Sequence, residues 1–173
     1  EENIFSEILA DKGATILKIT PSHIPLICSS EIAGSRIHTL ILGGEGLKAA
    51  GCRALYKRIG EEIRIFNEYG PTEATVGCMT YQYSPSRDEE ESVPIGRPIY
   101  NTQIYLLDSD RNPVPDETEG EIYIGGAGVA AGYTSRDFSS FLPNPYRPGE
   151  YMYKTGDMAR RHKDGNLVFI GRN

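Results

Sequence analysis

The chain has 173 residues, enough for one domain or two small lobes, and at 39% apolar residues its composition is that of an ordinary soluble protein. A net charge of −6 argues against nucleic-acid backbones and anionic membranes as partners, while leaving small anionic ligands open, because local dipoles and a few cations can hold them. No run is long and apolar enough to span a bilayer, and the first residues lack a basic stretch followed by an apolar core.

In chain order, residues 4–9 read as the end of a helix, stopped by Asp11-Lys12-Gly13, and residues 15–19 as a short strand. Thr20-Pro21 then opens a helix, with Thr20 as N-cap and Pro21 at the first helical position. Residues 38–42 are a strand, Gly43-Gly44-Glu45-Gly46 follows directly, and Leu47, Ala50, Ala54, Leu55 and Ile59 carry helical spacing. Residues 62–67 are the next strand. Strands alternating with helices predict a parallel sheet covered by helices.

After Thr75 the texture changes. Residues 79–83 alternate, and 84–92 form a Pro- and acid-rich surface loop ending in Asp88-Glu89-Glu90-Glu91, read as a solvated charge run. Short β-runs then follow at 103–108, 121–124, 151–155 and 167–170, punctuated by Asp110-Arg111-Asn112-Pro113, Glu119-Gly120 and Asp164-Gly165. The fold class predicted is α/β plus β: a partial parallel-sheet subdomain over 1–96, then a small β-barrel-like subdomain or distorted sheet over 97–173. Cys28, Cys52 and Cys78 are odd in number, widely spaced and without a metal-ligand pattern, which fits thiols in a reducing compartment and a cytoplasmic address.

The densest chemistry is in Phe66-Asn67-Glu68-Tyr69-Gly70-Pro71-Thr72-Glu73. A strand ends there in an aromatic, a Gly-Pro turn, a hydroxyl able to cap the next segment, and a carboxylate. An aromatic that stacks on a base, a hydroxyl that reaches a phosphate and a carboxylate that holds Mg²⁺ suit a nucleotide site at the carboxyl end of a sheet. A plain strand–turn–helix joint explains the same eight residues. Gly43-Gly44-Glu45-Gly46 reads as a close backbone approach to a ligand or as a tight strand-to-helix turn. The run 125–133 carries four glycines in its first eight residues, which suits close backbone packing. Asp157, in Tyr153-Lys154-Thr155-Gly156-Asp157, can accept from both hydroxyls of a ribose or simply form a turn. Arg172, near the end of the chain, is a ribose or phosphate partner or plain surface charge.

Taken together, Asn67-Glu68-Tyr69-Gly70-Pro71-Thr72-Glu73, Val93-Pro94-Ile95-Gly96-Arg97-Pro98, Asn101-Thr102-Gln103-Ile104-Tyr105, Gly125-Gly126-Ala127-Gly128-Val129-Ala130-Ala131-Gly132-Tyr133 and Tyr153-Lys154-Thr155-Gly156-Asp157 resemble, in order, the motifs of the adenylate-forming enzymes. They are most similar to the amino-acid adenylation domains of nonribosomal peptide synthetases, and the resemblance covers essentially the whole chain. It implies part of the large N-terminal lobe of that fold. It also implies an ATP-dependent, AMP-forming ligase that makes an aminoacyl-adenylate and loads it on the phosphopantetheine thiol of a peptidyl carrier protein.

By that resemblance Tyr69 stacks on adenine with Asn67 and Gly44 nearby, Thr72 contacts the α-phosphate, and Glu73 binds Mg²⁺. Asp157 holds the ribose hydroxyls, Phe169 lines the nucleotide's edge where the family usually has Tyr, and Arg172 reaches the ribose. Ile41, Gly43, Glu68, Val76 and Gly77, with Ser22 as a further member, fall in the amino-acid side-chain pocket. A carboxylate at Glu68 beside small residues calls for a donor. The set resembles asparagine-selecting pockets, with ornithine as runner-up, while internal pairing of Glu68 or pairing with water leaves the substrate open.

The family's Ser/Thr/Gly-rich phosphate loop, its upstream aspartate for the substrate amino group and the catalytic lysine of its C-terminal lobe have no counterpart in the sequence. The expectation is therefore an internal fragment that does not adenylate on its own and binds ATP weakly. The rival readings are an acyl- or aryl-CoA ligase of the same superfamily and a non-catalytic scaffold module. Glu68 and the 101–105 segment favour the amino-acid branch. Retention of Glu73 and Asp157 disfavours a scaffold, which has no need of either.

Overall fold

The computed structural model describes residues 2–88 and 90–173, so Glu89 of the acidic run lies outside the described residues. The chain forms two compact units, one of Glu1–Glu68 and Tyr81–Val93, the other of Tyr69–Thr80 and Pro94–Asn173.

The first unit is α/β. Helix α1 (Glu2–Ala10) ends where the Asp11 carboxylate accepts from the Gly13 N–H at 2.8 Å, and β1 (Ile16–Ile19) follows. Pro21–His23 is a 3₁₀ turn leading into α2 (Ile24–Ser29). After β2 (Thr39–Gly43) and α3 (Ala49–Ile59), β3 (Arg64–Tyr69) brings the chain to the second unit at its last residue. Strands β1, β2 and β3 are parallel neighbours in that order, as the helix–strand alternation predicts. Leu40, Leu42 and Ile65 are fully buried against Ile27, Leu47, Cys52 and Leu55, each such side chain contributing roughly 1.5–3 kcal/mol of transfer free energy. Burial pushes the Cys52 thiol up to about 12, with the Asp88 carboxylate adding to the effect, so this cysteine is an inert core residue.

Thr20 departs from its expected role as a cap. Thr20 occupies the N-cap position in extended backbone but makes no side-chain cap bond; its hydroxyl instead meets Ser22 Oγ at 2.7 Å and His23 Nδ1 at 2.8 Å. The capping acceptor comes from far along the chain. The Glu45 carboxylate receives the Ser22 N–H at 3.0 Å and the Ser22 hydroxyl at 2.9 Å.

The second unit is antiparallel. The first residues of β4 (Met79–Gln82) pair with β5 (Arg97–Pro98), and β6 (Thr102–Leu107), β7 (Glu119–Gly126), β8 (Phe141–Pro143), β9 (Tyr151–Arg161) and β10 (Leu167–Arg172) form a sheet ordered β10-β9-β7-β6 with β8 on β9. Among the described residues this sheet is open and closes no barrel. Its outer strands take single bridges instead of each other, Leu167 of β10 with Gly96 and Leu107 of β6 with Pro113. Met79, Ile122, Ile124 and Ala159 are the buried centre of its core. No helix among the described residues is long and apolar enough to cross a membrane, and none of the three cysteines forms a disulfide.

Candidate functional site

In the first unit the pairing Ile41↔Phe66 and Gly43↔Glu68 puts these four residues on one face of the sheet, since alternate residues of a strand share a face. Lys18, opposite Ile41 in β1, joins that face, and its Nζ forms an ion pair with Glu68 Oε2. The Lys18 side chain is 49% exposed and that of Glu68 21%. Gly43 makes room for this approach, because a Cβ there would sit 2.9 Å from the Glu68 carbonyl oxygen and 3.5 Å from its carboxylate. Glu68 therefore has an internal partner, supplied by a residue that no local pattern singles out. Gly44 stands exposed just after β2, and Ser22 is exposed and engaged by Glu45. Asn67 projects to the opposite face, where it is 2% exposed and its Nδ2 donates to the Val93 carbonyl at 3.2 Å.

In the second unit Tyr69 and Cys78 close a loop, with the Cys78 N–H donating to the Tyr69 carbonyl at 2.9 Å. Thr72–Ala74 is a 3₁₀ turn whose N-cap is Pro71, so Thr72 does not cap as expected; it is the first residue of the turn and leaves its hydroxyl exposed. Thr75 and Val76 then take φ of 59° and 67°, an uncommon left-handed pair for β-branched residues that stores local strain at this loop. Val76 is 52% exposed and Gly77 half-buried beside it.

The same unit brings Tyr69, Asp157, Phe169 and Arg172 together. The Tyr69 hydroxyl donates to Asp157 Oδ2 at 2.6 Å, and the Tyr69 and Phe169 rings lie 6.3 Å apart at a 38° tilt. Burial raises the Tyr69 phenol pKa, and the Asp157 carboxylate that accepts its proton adds to this, so the phenol stays a donor. Asp157 is fixed from its other side. Its N–H donates to Thr155 Oγ1 at 2.9 Å, and Arg172 Nε approaches Oδ1 at 3.6 Å. A β-bulge between Phe169 and Gly171 shifts the β9–β10 register, setting Arg172 opposite Asp157.

Glu73 is held by residues outside its own turn. The Tyr133 hydroxyl donates to Glu73 Oε1, and the Tyr153 hydroxyl stands 3.4 Å from that of Tyr133. The Tyr133 hydrogen bond is the main cause of a lowered Glu73 carboxyl pKa, so the group is a carboxylate at neutral pH. Among the described residues no cluster of three or more His, Cys, Asp or Glu side chains could cage a metal. A half-buried, ionised single carboxylate fits Mg²⁺ of the kind that is shared with substrate phosphates and keeps its waters, and does not fit an all-protein metal site. Lys18, Tyr133 and Tyr153 are the contributors that sequence reading missed. Tyr133 and Tyr153 lie inside two of the recognised motifs, and that position was the available signal.

The AMP-binding enzyme family matches residues 2–134. The chain is 45% identical over 174 residues to bacitracin synthase 3 of Bacillus licheniformis, covering 99% of this chain and 3% of that protein. It is 46% identical over 172 residues to tyrocidine synthase 3 of Brevibacillus parabrevis, covering 98% of this chain and 3% of that protein. Among solved structures it matches a nonribosomal peptide synthetase protein containing adenylation and PCP domains, with a TM-score of 0.88 and 31% identity over 99% of this chain and 36% of that one. The chain thus spans a small part of the length of the curated relatives it matches. With a parallel α/β unit, an antiparallel unit and the motif order all in agreement, the chain belongs to the AMP-binding enzyme family.

Proposed function

We propose that this chain is the nucleotide- and side-chain-binding part of an amino-acid adenylation domain, within a cytoplasmic nonribosomal peptide synthetase. The α/β subdomain is assigned to 1–96 and the β-rich subdomain to 97–173. The observation that carries the reading is the 2.6 Å hydrogen bond from Tyr69 to Asp157, which joins two motif residues 88 positions apart. Such a pair gives a nucleoside an aromatic face and a ribose-accepting carboxylate in one place.

The reaction is attack of the amino-acid carboxylate on the α-phosphorus of ATP, releasing pyrophosphate and leaving an aminoacyl-adenylate, which passes to a carrier protein's phosphopantetheine thiol. Tyr69 presents its ring to adenine with Phe169 beside it; Gly44 and Asn67 keep their assignment to the base from the motif resemblance alone, the Asn67 side chain being buried against the Val93 carbonyl. Asp157 accepts from the ribose hydroxyls and Arg172 adds a donor. Thr72 offers its exposed hydroxyl to the α-phosphate. Glu73 holds Mg²⁺, which when bound neutralises phosphate charge. These residues act by positioning and electrostatics, the dominant contributions in phosphoryl-type transfer.

The amino-acid side chain is assigned to Ile41, Gly43, Glu68, Val76 and Gly77, with Ser22 as a further member. The Lys18–Glu68 pair supports a neutral carboxamide, because its NH₂ finds the carboxylate and its oxygen finds the ammonium. Ornithine would bring a second cation beside Lys18. Amino-acid-dependent ATP–pyrophosphate exchange by the protein that carries this chain is expected to be selective for asparagine. Lys18→Met is expected to shift preference toward ornithine by about tenfold, equivalent to about 1.4 kcal/mol. Selectivity for an unrelated amino acid discards the pocket assignment and keeps the class. Exchange only with fatty or aryl acids moves the protein to the CoA-ligase branch, and no exchange with any acid makes a scaffold the better reading.

A further inference from the structure

The glycine-rich loop after β7 does more than pack. It touches the Glu73 turn at three places. The Ala130 N–H donates to the Glu73 carbonyl at 2.8 Å, and the Thr75 hydroxyl donates to the Gly128 carbonyl at 2.7 Å. The third contact is Tyr133 at the loop's end, whose hydroxyl donates to the Glu73 carboxylate. The loop must run close to do this, since a Cβ on Gly128 would lie 3.3 Å from the Ala74 carbonyl oxygen. The Tyr133 ring is fixed edge-on against Phe141 at 5.4 Å, and Phe141 in turn packs on Tyr153 at 5.2 Å. Both the main chain and the side chain of Glu73 are therefore held by one loop, and the phenol that holds the carboxylate has its own ring locked.

We propose that Tyr133 is a positioning residue for the metal-binding carboxylate: the loop after β7 delivers its hydroxyl to Glu73 Oε1 and so fixes the carboxylate through which Mg²⁺ would be held. The inference rests on the assignment of Mg²⁺ to Glu73 under Proposed function. An outer hydrogen bond that orients a ligating carboxylate commonly changes metal affinity by about 10–100-fold. Tyr133 is 39% exposed, and Phe in its place keeps the ring contact with Phe141, so the fold tolerates the substitution.

The test uses the protein that carries this chain, with Mn²⁺ as a paramagnetic probe titrated in the presence of ATP. Tyr133→Phe is expected to weaken ATP-dependent Mn²⁺ binding about tenfold while leaving metal-free AMP affinity unchanged. Raised Mg²⁺ should restore its exchange activity, and in a Glu73→Gln background the same substitution should add nothing. Wild-type protein that shows no ATP-dependent Mn²⁺ binding overturns the assignment of Mg²⁺ to Glu73 and this inference with it. Intact wild-type binding with Tyr133→Phe unchanged overturns the inference alone. So does equal weakening of Mn²⁺ and AMP, or a full additional loss in the Glu73→Gln background, since either marks a role in the fold and not at the carboxylate.

Discussion

Glu73→Gln is expected to lower amino-acid-dependent exchange by about 10²–10³-fold, the loss typical of removing one preorganised electrostatic contact at a reacting phosphate or acyl group. The substitution changes charge with almost no change of shape. The amide oxygen of the variant side chain could still accept the Tyr133 hydroxyl, and the main-chain carbonyl at this position would keep its bond from Ala130. Thermal stability is therefore expected to stay within about 0.5 kcal/mol of wild type, as for surface substitutions away from the core. The pair of measurements separates chemistry from folding. Exchange retained within a few-fold would show that the carboxylate carries no metal, whereas a large stability loss would make Glu73 a structural residue of the loop.

Gly70→Ala is expected to be strongly disruptive for so small a substitution, costing about 3 kcal/mol. A Cβ at Gly70 would overlap the Val76 carbonyl and stand 2.8 Å from the Cys78 nitrogen. Neither neighbour can yield cheaply. Both are backbone, and Cys78 N is bonded to the Tyr69 carbonyl, while Val76 is already in left-handed backbone. Relief requires opening the 69–78 loop, which carries Thr72 and Glu73 and begins at Tyr69. Urea denaturation should show a lowered midpoint, and AMP affinity should fall with it. An unchanged midpoint would mean that the loop rearranges freely and that its glycine is not set by close packing.

The α/β half was legible because its strands are short apolar runs closed by Gly or polar residues, and α3 repeats its apolar residues at helical spacing. Strands β5 and β8 escaped because runs of two and three residues ending in Pro98 and Pro143 carry no periodicity. Closure of the second unit could not be read either, since whether outer strands meet is decided by bridges such as Gly96–Leu167 and not by alternation. At the site, residue types were readable and contacts were not. That Glu68 needs a donor follows from its chemistry; that Lys18 provides one depends on the register Lys18↔Ile41 and on the missing side chain of Gly43. Arg172 faces Asp157 only because of the bulge between Phe169 and Gly171, which no sequence rule announces. Thr20 and Thr72 illustrate the converse, with good capping residues whose hydroxyls are not used as caps.

The identity of the adenylate tests the assigned chemistry most directly. The protein that carries this chain should be given ATP, Mg²⁺ and an equimolar mixture of the standard amino acids, ornithine, and fatty and aryl acids, and the products read by mass spectrometry. The expected result is an aminoacyl-adenylate, dominated by the asparaginyl species, that disappears with Glu73→Gln. Adenylates of fatty or aryl acids alone, or none at all from a folded protein, would contradict it.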